Sequence, residues 1–163
     1  MRIVAIALAG LAALTLTVEP GAAADPVKKP PYYASISAGR ARMRTGPART
    51  YPASWLYQRA DLPVKVVAIF KDWRRVRDPD GEEGWMLANL LSGTRTAMVT
   101  QGAPAEMRAS ASDGGALLWR AAPGVVGRLS QCGGGWCRLD VKGQAGFVRI
   151  DRLWGVEAGE ALP

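Results

Sequence analysis

The sequence predicts an all-β protein built of two small units in tandem, each closing a short-stranded sheet on itself. Three observations predict it. No stretch beyond residue 25 keeps a helical period, short alternating or β-branched runs are cut by Gly, Pro and Asp, and one series of motifs occurs twice.

Residues 1–24 read as a secretory signal peptide that precedes the fold. Arg2 gives the charged start, Ile3 to Val18 is apolar apart from two threonines and a glycine, and Ala22-Ala23-Ala24 supplies a small-residue cleavage site. Cleavage after Ala24 leaves Asp25 to Pro163, expected to be soluble and either periplasmic or secreted. The rival reading is an uncleaved anchor. Its apolar run of sixteen residues falls short of the roughly 20 that a bilayer span needs, and Pro20 interrupts the chain just beyond it. No cysteine lies near Ala24, which argues against a lipid anchor. Residues 25–34, carrying Pro26 and Pro30-Pro31, come next as an extended leader.

The first unit is placed at 35–100. It carries a long loop from Arg44 to Leu62, a strand over Pro63 to Phe70 and another over Trp73-Arg-Arg-Val-Arg77. Asp78-Pro-Asp-Gly81 turns the chain into Gly84-Trp85-Met86, and a short helical turn at Asn89 leads to a closing strand. The second unit, 104–157, repeats this plan: Val125 to Leu129, Trp136-Cys-Arg-Leu139, Lys142-Gly143, Gly146-Phe147-Val148 and Asp151. The offset is 63 from Trp73 to Trp136 and 62 from Gly84 to Gly146, so one residue is lost in the turn between. The second unit's first loop, Ser110 to Leu117, reads as shorter than its counterpart. Residues 158–163 form a tail. Trp85 and Phe147, each after a glycine, are expected in the cores. For Trp73 and Trp136, core and exposed groove fit equally, because W-x-x-V/L puts tryptophan and aliphatic on opposite strand faces.

Composition narrows the function. Twenty-one Lys and Arg face fourteen Asp and Glu, and the balance stays at +7 once Arg2 and Glu19 are removed with the leader. Such a charge favours anionic partners, whether wall polymers or a membrane surface, and serves equally as a solubilising shell. An exported chain rarely meets nucleic acid. Histidine is absent, which removes the usual general base, the Ser-His and Cys-His pairs and the commonest metal ligand. No P-loop or dinucleotide fingerprint occurs. A binding protein without cofactor or metal is expected, and an enzyme is not. A small envelope hydrolase using paired carboxylates is the remaining enzymatic reading.

Candidate ligand contacts are Tyr51, Trp55 and Tyr57, which share the first loop with Arg44, Arg49 and Arg59. Aromatic and cationic groups on a loop suit a sugar, a peptide or an acidic group, and the aromatics suit a small local core as well. Trp73 and Trp136 join the candidates as groove residues. Asp78, Asp80, Glu82 and Glu83 crowd one turn and read as solvated turn charges, since no calcium-loop pattern accompanies them. Cys132 and Cys137, the only cysteines, enclose Gly133-Gly-Gly-Trp136. A disulfide, a metal pair, a redox dithiol and two free thiols compete there. Export makes the disulfide the default.

Several of these motifs resemble a known family. Arg42-Met-Arg-Thr-Gly-Pro47 with Tyr51-Pro52 is similar to the opening of bacterial SH3 domains. The W-R-R-V…G-W-M…N-L-L-S-G and W-C-R-L…G-F-V…L-W-G-V segments resemble the rest of such domains. The likeness runs from about Ala34 to Val156 and weakens at Ala109-Ser-Ala-Ser-Asp113. It implies two five-stranded barrels and a binding or targeting role, toward cell-wall peptidoglycan, a peptide or an envelope protein. Within that role an accessory part docking on an envelope enzyme is the alternative.

Overall fold

The computed structural model describes residues 28–163, so the expected signal peptide and its cleavage site lie outside the described residues. Short strands joined by tight turns make up both modules. In the first the chain forms β1 (Tyr32–Ile36), β2 (Ala41–Arg44), β3 (Ala53–Tyr57), β4 (Pro63–Phe70), β5 (Trp73–Arg77), β6 (Glu83–Leu87) and β7 (Leu91–Ser92). The second runs through β8 (Thr96–Val99), β9 (Ala105–Arg108), β10 (Leu117–Ala121), β11 (Val126–Gly133), β12 (Trp136–Val141), β13 (Gln144–Arg149) and β14 (Leu153–Trp154). The helical segments among the described residues are two 3-10 turns, Ala88–Leu90 and Ile150–Arg152, each ahead of the closing strand as the repeat predicts. No helix among the described residues is long and apolar enough to cross a membrane.

Two antiparallel sheets result, in the orders β3-β2-β6-β5-β4-β1-β7 and β10-β9-β13-β12-β11-β8-β14, which are the same arrangement twice. The all-β tandem is therefore the fold. Each sheet has seven strands where five were expected, because hairpins β2–β3 and β9–β10 form around the segments read as first loops, with β3 inside Arg44–Leu62 and with β9 and β10 on either side of the Ser110–Leu117 loop. The connections inside these hairpins, 45–52 and 109–116, are equal in length, so the second is not the shorter loop that the sequence implied. Thr96–Val99, expected at the end of the first unit, pairs with β11 and β14 and opens the second.

Period-two alternation decides what is buried. In β6, Gly84 and Met86 point inward while Trp85 is half-buried on the outer face. In β13, Gly146 and Val148 point inward and Phe147 outward. The expectation that Trp85 and Phe147 fill the cores is thus corrected. Met86 and Val148 fill them, packed with Ile36, Met43, Val64 and Val76 in one module and with Val99, Met107, Leu129 and Leu139 in the other. Gly84 and Gly146 hold matching places for a steric reason. A Cβ on Gly84 would lie 2.8 Å from the Arg44 carbonyl, and one on Gly146 would lie 3.0 Å from the Met107 carbonyl carbon.

Two-residue turns with left-handed backbone close the second module's hairpins, as such turns require. Gly134 and Gly135 join β11 to β12, and Lys142 and Gly143 join β12 to β13. Cys132 and Cys137 face each other across the first of these, are disulfide-bonded, and are buried.

Candidate functional site

A groove runs along each module between the hairpin and the 3-10 turn. In the first it is lined by Arg40, Arg42, Arg44, Arg49, Trp73, Leu87 and Leu90 around about 180 Å³. In the second it is lined by Pro104, Glu106, Arg108, Asp113, Trp136, Arg149 and Arg152, among others, around about 200 Å³. These are matching positions: β2 and β9 supply the walls, the start of β5 or β12 supplies the tryptophan, and the residues before or within the 3-10 turn close the end. Trp73 and Trp136 are 9% and 8% exposed, so each is largely covered yet presents an edge to its groove. Val76 and Leu139, three residues on, are in the cores, so this strand is covered on both faces.

The chemistry of the two grooves differs. None of Arg40, Arg42, Arg44 and Arg49 has a carboxylate within 4.0 Å among the described residues. Arg44 spends one Nη1–H on the Tyr51 carbonyl at 2.6 Å, which ties the hairpin loop to β2. In the second groove Glu106 pairs with Arg108, and Asp113 accepts from Arg149 at 2.9 Å. The Arg149 guanidinium lies 5.4 Å from the centroid of the Trp136 ring. It is held over the ring by Asp113, whose hydrogen bond and charge also raise the Arg149 pKa. The second groove is filled by its own ions, and the first is left as four guanidiniums beside a tryptophan.

The loop aromatics do not form one cluster. Tyr57 is buried in the first core and donates to Asp78 Oδ2 at 2.8 Å, with burial first and the Asp78 contact second in raising its pKa. Asp78 Oδ1 accepts the backbone N–H groups of Asp80 and Glu82 at 3.0 and 2.8 Å, so this carboxylate organises the turn from inside. Tyr51 lies over Gly46, half exposed. Trp55 sits across from inward-facing Met43 on the edge strand, 52% exposed, away from the arginines on the other face of β2. Arg59 belongs to the joint between modules, where it donates to the Gly124 carbonyl at 3.2 Å.

Sequence reasoning missed Arg40, Arg42 and Trp119. Trp119 is the twin of Trp55: it sits across from Met107 on edge strand β10 and is 44% exposed. The signal was present in Ala41-Arg-Met-Arg44 against Ala105-Glu-Met-Arg108, which align at an offset of 64.

The joint is built from both modules. The Thr96 hydroxyl donates to the Asp61 carbonyl at 2.8 Å and stands 2.6 Å from the Ser35 hydroxyl. Tyr33 and Trp154 meet edge to face with centroids 5.3 Å apart, and Lys65 pairs with Glu157 at 2.6 Å. Arg95 binds Glu160 and donates to the Gly155 carbonyl at 2.8 Å.

Two like barrels, each with a groove beside a tryptophan, define a tandem module of the SH3 type. The chain belongs to the bacterial SH3 domain family, whose model matches residues 37–93 and 101–155. No curated protein matches the sequence. Solved structures that it resembles include NlpC2 from Trichomonas vaginalis, 13% identical over 78% of this chain and 51% of that one, with a TM-score of 0.35. Another is an NlpC/P60 family protein from Bacillus cereus, 16% identical over 75% and 55%, with a TM-score of 0.34. The chain spans about half the length of these structures.

Proposed function

We propose that the chain is an exported, non-enzymatic binding protein of the cell envelope, and that its first module holds the carboxylate-bearing peptides of peptidoglycan. The observation that carries this reading is the groove of Arg40, Arg42, Arg44 and Arg49 around Trp73, four cations without an acid of their own among the described residues. Guanidinium forks match carboxylates in geometry as well as charge, and the tryptophan edge offers an apolar contact beside them. Export is supported by the apolar leader with its small-residue site and by the disulfide, which suits an oxidising compartment. Holding without turnover is supported by the lack of histidine and by the employment of Asp78 as a turn organiser.

A second reading, docking on an envelope protein, is favoured by a different observation. The edge strands β3 and β10 expose Trp55 and Trp119 at matching places, beside Leu56 in one and Leu117 and Leu118 in the other, and unpaired strand edges accept extended chains. Sedimentation with purified sacculi separates the two. The groove reading expects binding that falls as salt rises and is lost in Arg42→Glu/Arg44→Glu but kept in Trp55→Ala. Loss in Trp55→Ala alone moves the site to the edge strand, and release of soluble wall fragments by the wild-type chain overturns the non-enzymatic assignment.

A further inference from the structure

A cleft of about 670 Å³ opens where the two modules meet, and neither module makes it alone. Arg59 and Asp61 come from the first, while Arg128, Arg138, Asp140 and Lys142 come from β11, β12 and the turn after them. Four cations thus face two carboxylates, an excess of two positive charges. Asp140 accepts the Gly143 N–H at 2.8 Å, and Asp61 comes no nearer to Arg128 than 4.0 Å. Arg138 reaches the Ser130 hydroxyl at 3.4 Å, a neutral partner.

The first module shows how the same sheet face looks when it is neutralised. Strand register equates Lys65 with Arg128, Arg75 with Arg138, and Glu83 with Ala145. There Lys65 pairs with Glu157 at 2.6 Å, and Glu83 takes Arg75 at 2.9 Å and Arg77 at 2.5 Å. Hydrogen bonding to Glu157 raises the Lys65 pKa. In the second module Ala145 stands where Glu83 would be and Asp140 where Arg77 would be. Arg128 therefore has Asp140 across the ladder, while Arg138 meets the Ser130 hydroxyl and no carboxylate among the described residues. The cleft volume lies within the range of small-ligand sites, roughly 300–1,000 Å³.

We propose that this cleft is an anion site, taking a ligand that carries two or more carboxylate or phosphate groups. Arg59 and Arg138 flank it from opposite modules, and Arg128, being well exposed, closes on the ligand from the rim. The proposal is independent of the first-module groove, which lies on other strands.

Calorimetric titration of the chain Asp25–Pro163 at low salt tests it, with inorganic pyrophosphate as the phosphate probe and citrate as the carboxylate probe. One equivalent of at least one probe is expected to bind, and the tighter probe names the ligand class. Ala145→Glu, which installs the acid that the first module possesses, should weaken binding tenfold or more, as should Arg138→Gln. Lys71→Gln, outside the lining of the cleft and of both grooves, should leave it unchanged. Thermal melts check that each variant is folded, and Arg128→Gln with Arg138→Gln serves if Ala145→Glu is not. The proposal is overturned if neither probe binds, if Ala145→Glu and Arg138→Gln bind as the wild type does, or if Lys71→Gln alone abolishes the signal.

Discussion

The first module leaves its groove cationic and pairs the cations of its outer sheet face with an acid, whereas the second fills its groove with acids and keeps a cationic excess on its outer face. Glu83 neutralises Arg75 and Arg77 on β5, while the groove beside Trp73 has four arginines and no acid. In the second module Glu106 and Asp113 sit in the groove beside Trp136, and on the outer face Ala145 replaces Glu83, leaving Asp140 as the acid beside Arg128 and Arg138. Backbone, register and closing turns are shared, so the difference lies in a handful of exchanged charges. The two modules share the frame and differ in where their exposed cations gather. A fold of this kind does not fix its ligand.

The largest expected effect comes from erasing that contrast. Arg42→Glu with Arg49→Asp copies the second module's acids into the first groove and should weaken sacculus binding on the order of a hundredfold, close to 3 kcal/mol. Unchanged sedimentation would show that the groove's cations are only surface charge. Next come the matched glycines. Gly84→Ala and Gly146→Ala should each destabilise by about 1–3 kcal/mol through overpacking against β2 or β9, measured by denaturant melts. A neutral result at one of them would break the equivalence of the two frames.

Tyr57→Phe sharpens the comparison from inside. It removes a buried hydrogen bond to Asp78, at a cost of about 2 kcal/mol, whereas the matching positions in the second module, Ala121 and Val141, have no such bond to lose. Cys132→Ser with Cys137→Ser should cost about 2 kcal/mol, with faster amide exchange confined to the β11–β12 hairpin and none in β4–β5. The smallest effect is one of pH. Arg95 holds the Glu160 carboxyl below its ordinary value. A depressed carboxylate contributes stability that is full above the unfolded value, about 4.3, and lost as pH falls through the folded one. Glu160→Gln should therefore flatten the acid limb of a melting-temperature profile, and an unaltered limb would remove this ion pair from the joint.

The repeat, its turns and the all-β class were legible because Gly, Pro and Asp punctuate the chain at matching intervals. The hairpins β2–β3 and β9–β10 were not, because Pro47, Pro52 and the run Ala109-Ser-Ala-Ser-Asp113 read as loop, and their pairing depends on partners distant in sequence. Trp85 misled because its size outweighed its parity: it lies between Gly84 and Met86, which share the inner face. The arginines were visible one by one. Their convergence on Trp73 was not, since Arg40 to Arg49 reach it only through the pairing of β2 with β6 and of β6 with β5.

The joint has a consequence for what the pair can measure. Hydroxyls, an edge-to-face ring contact and an ion pair bolt Thr96–Val99 and the final turns of the chain to the first module. Groove and cleft are then fixed jaws of one caliper. A polymer whose acidic groups recur at that gap would be gripped at both jaws at once, and one with another spacing only at one.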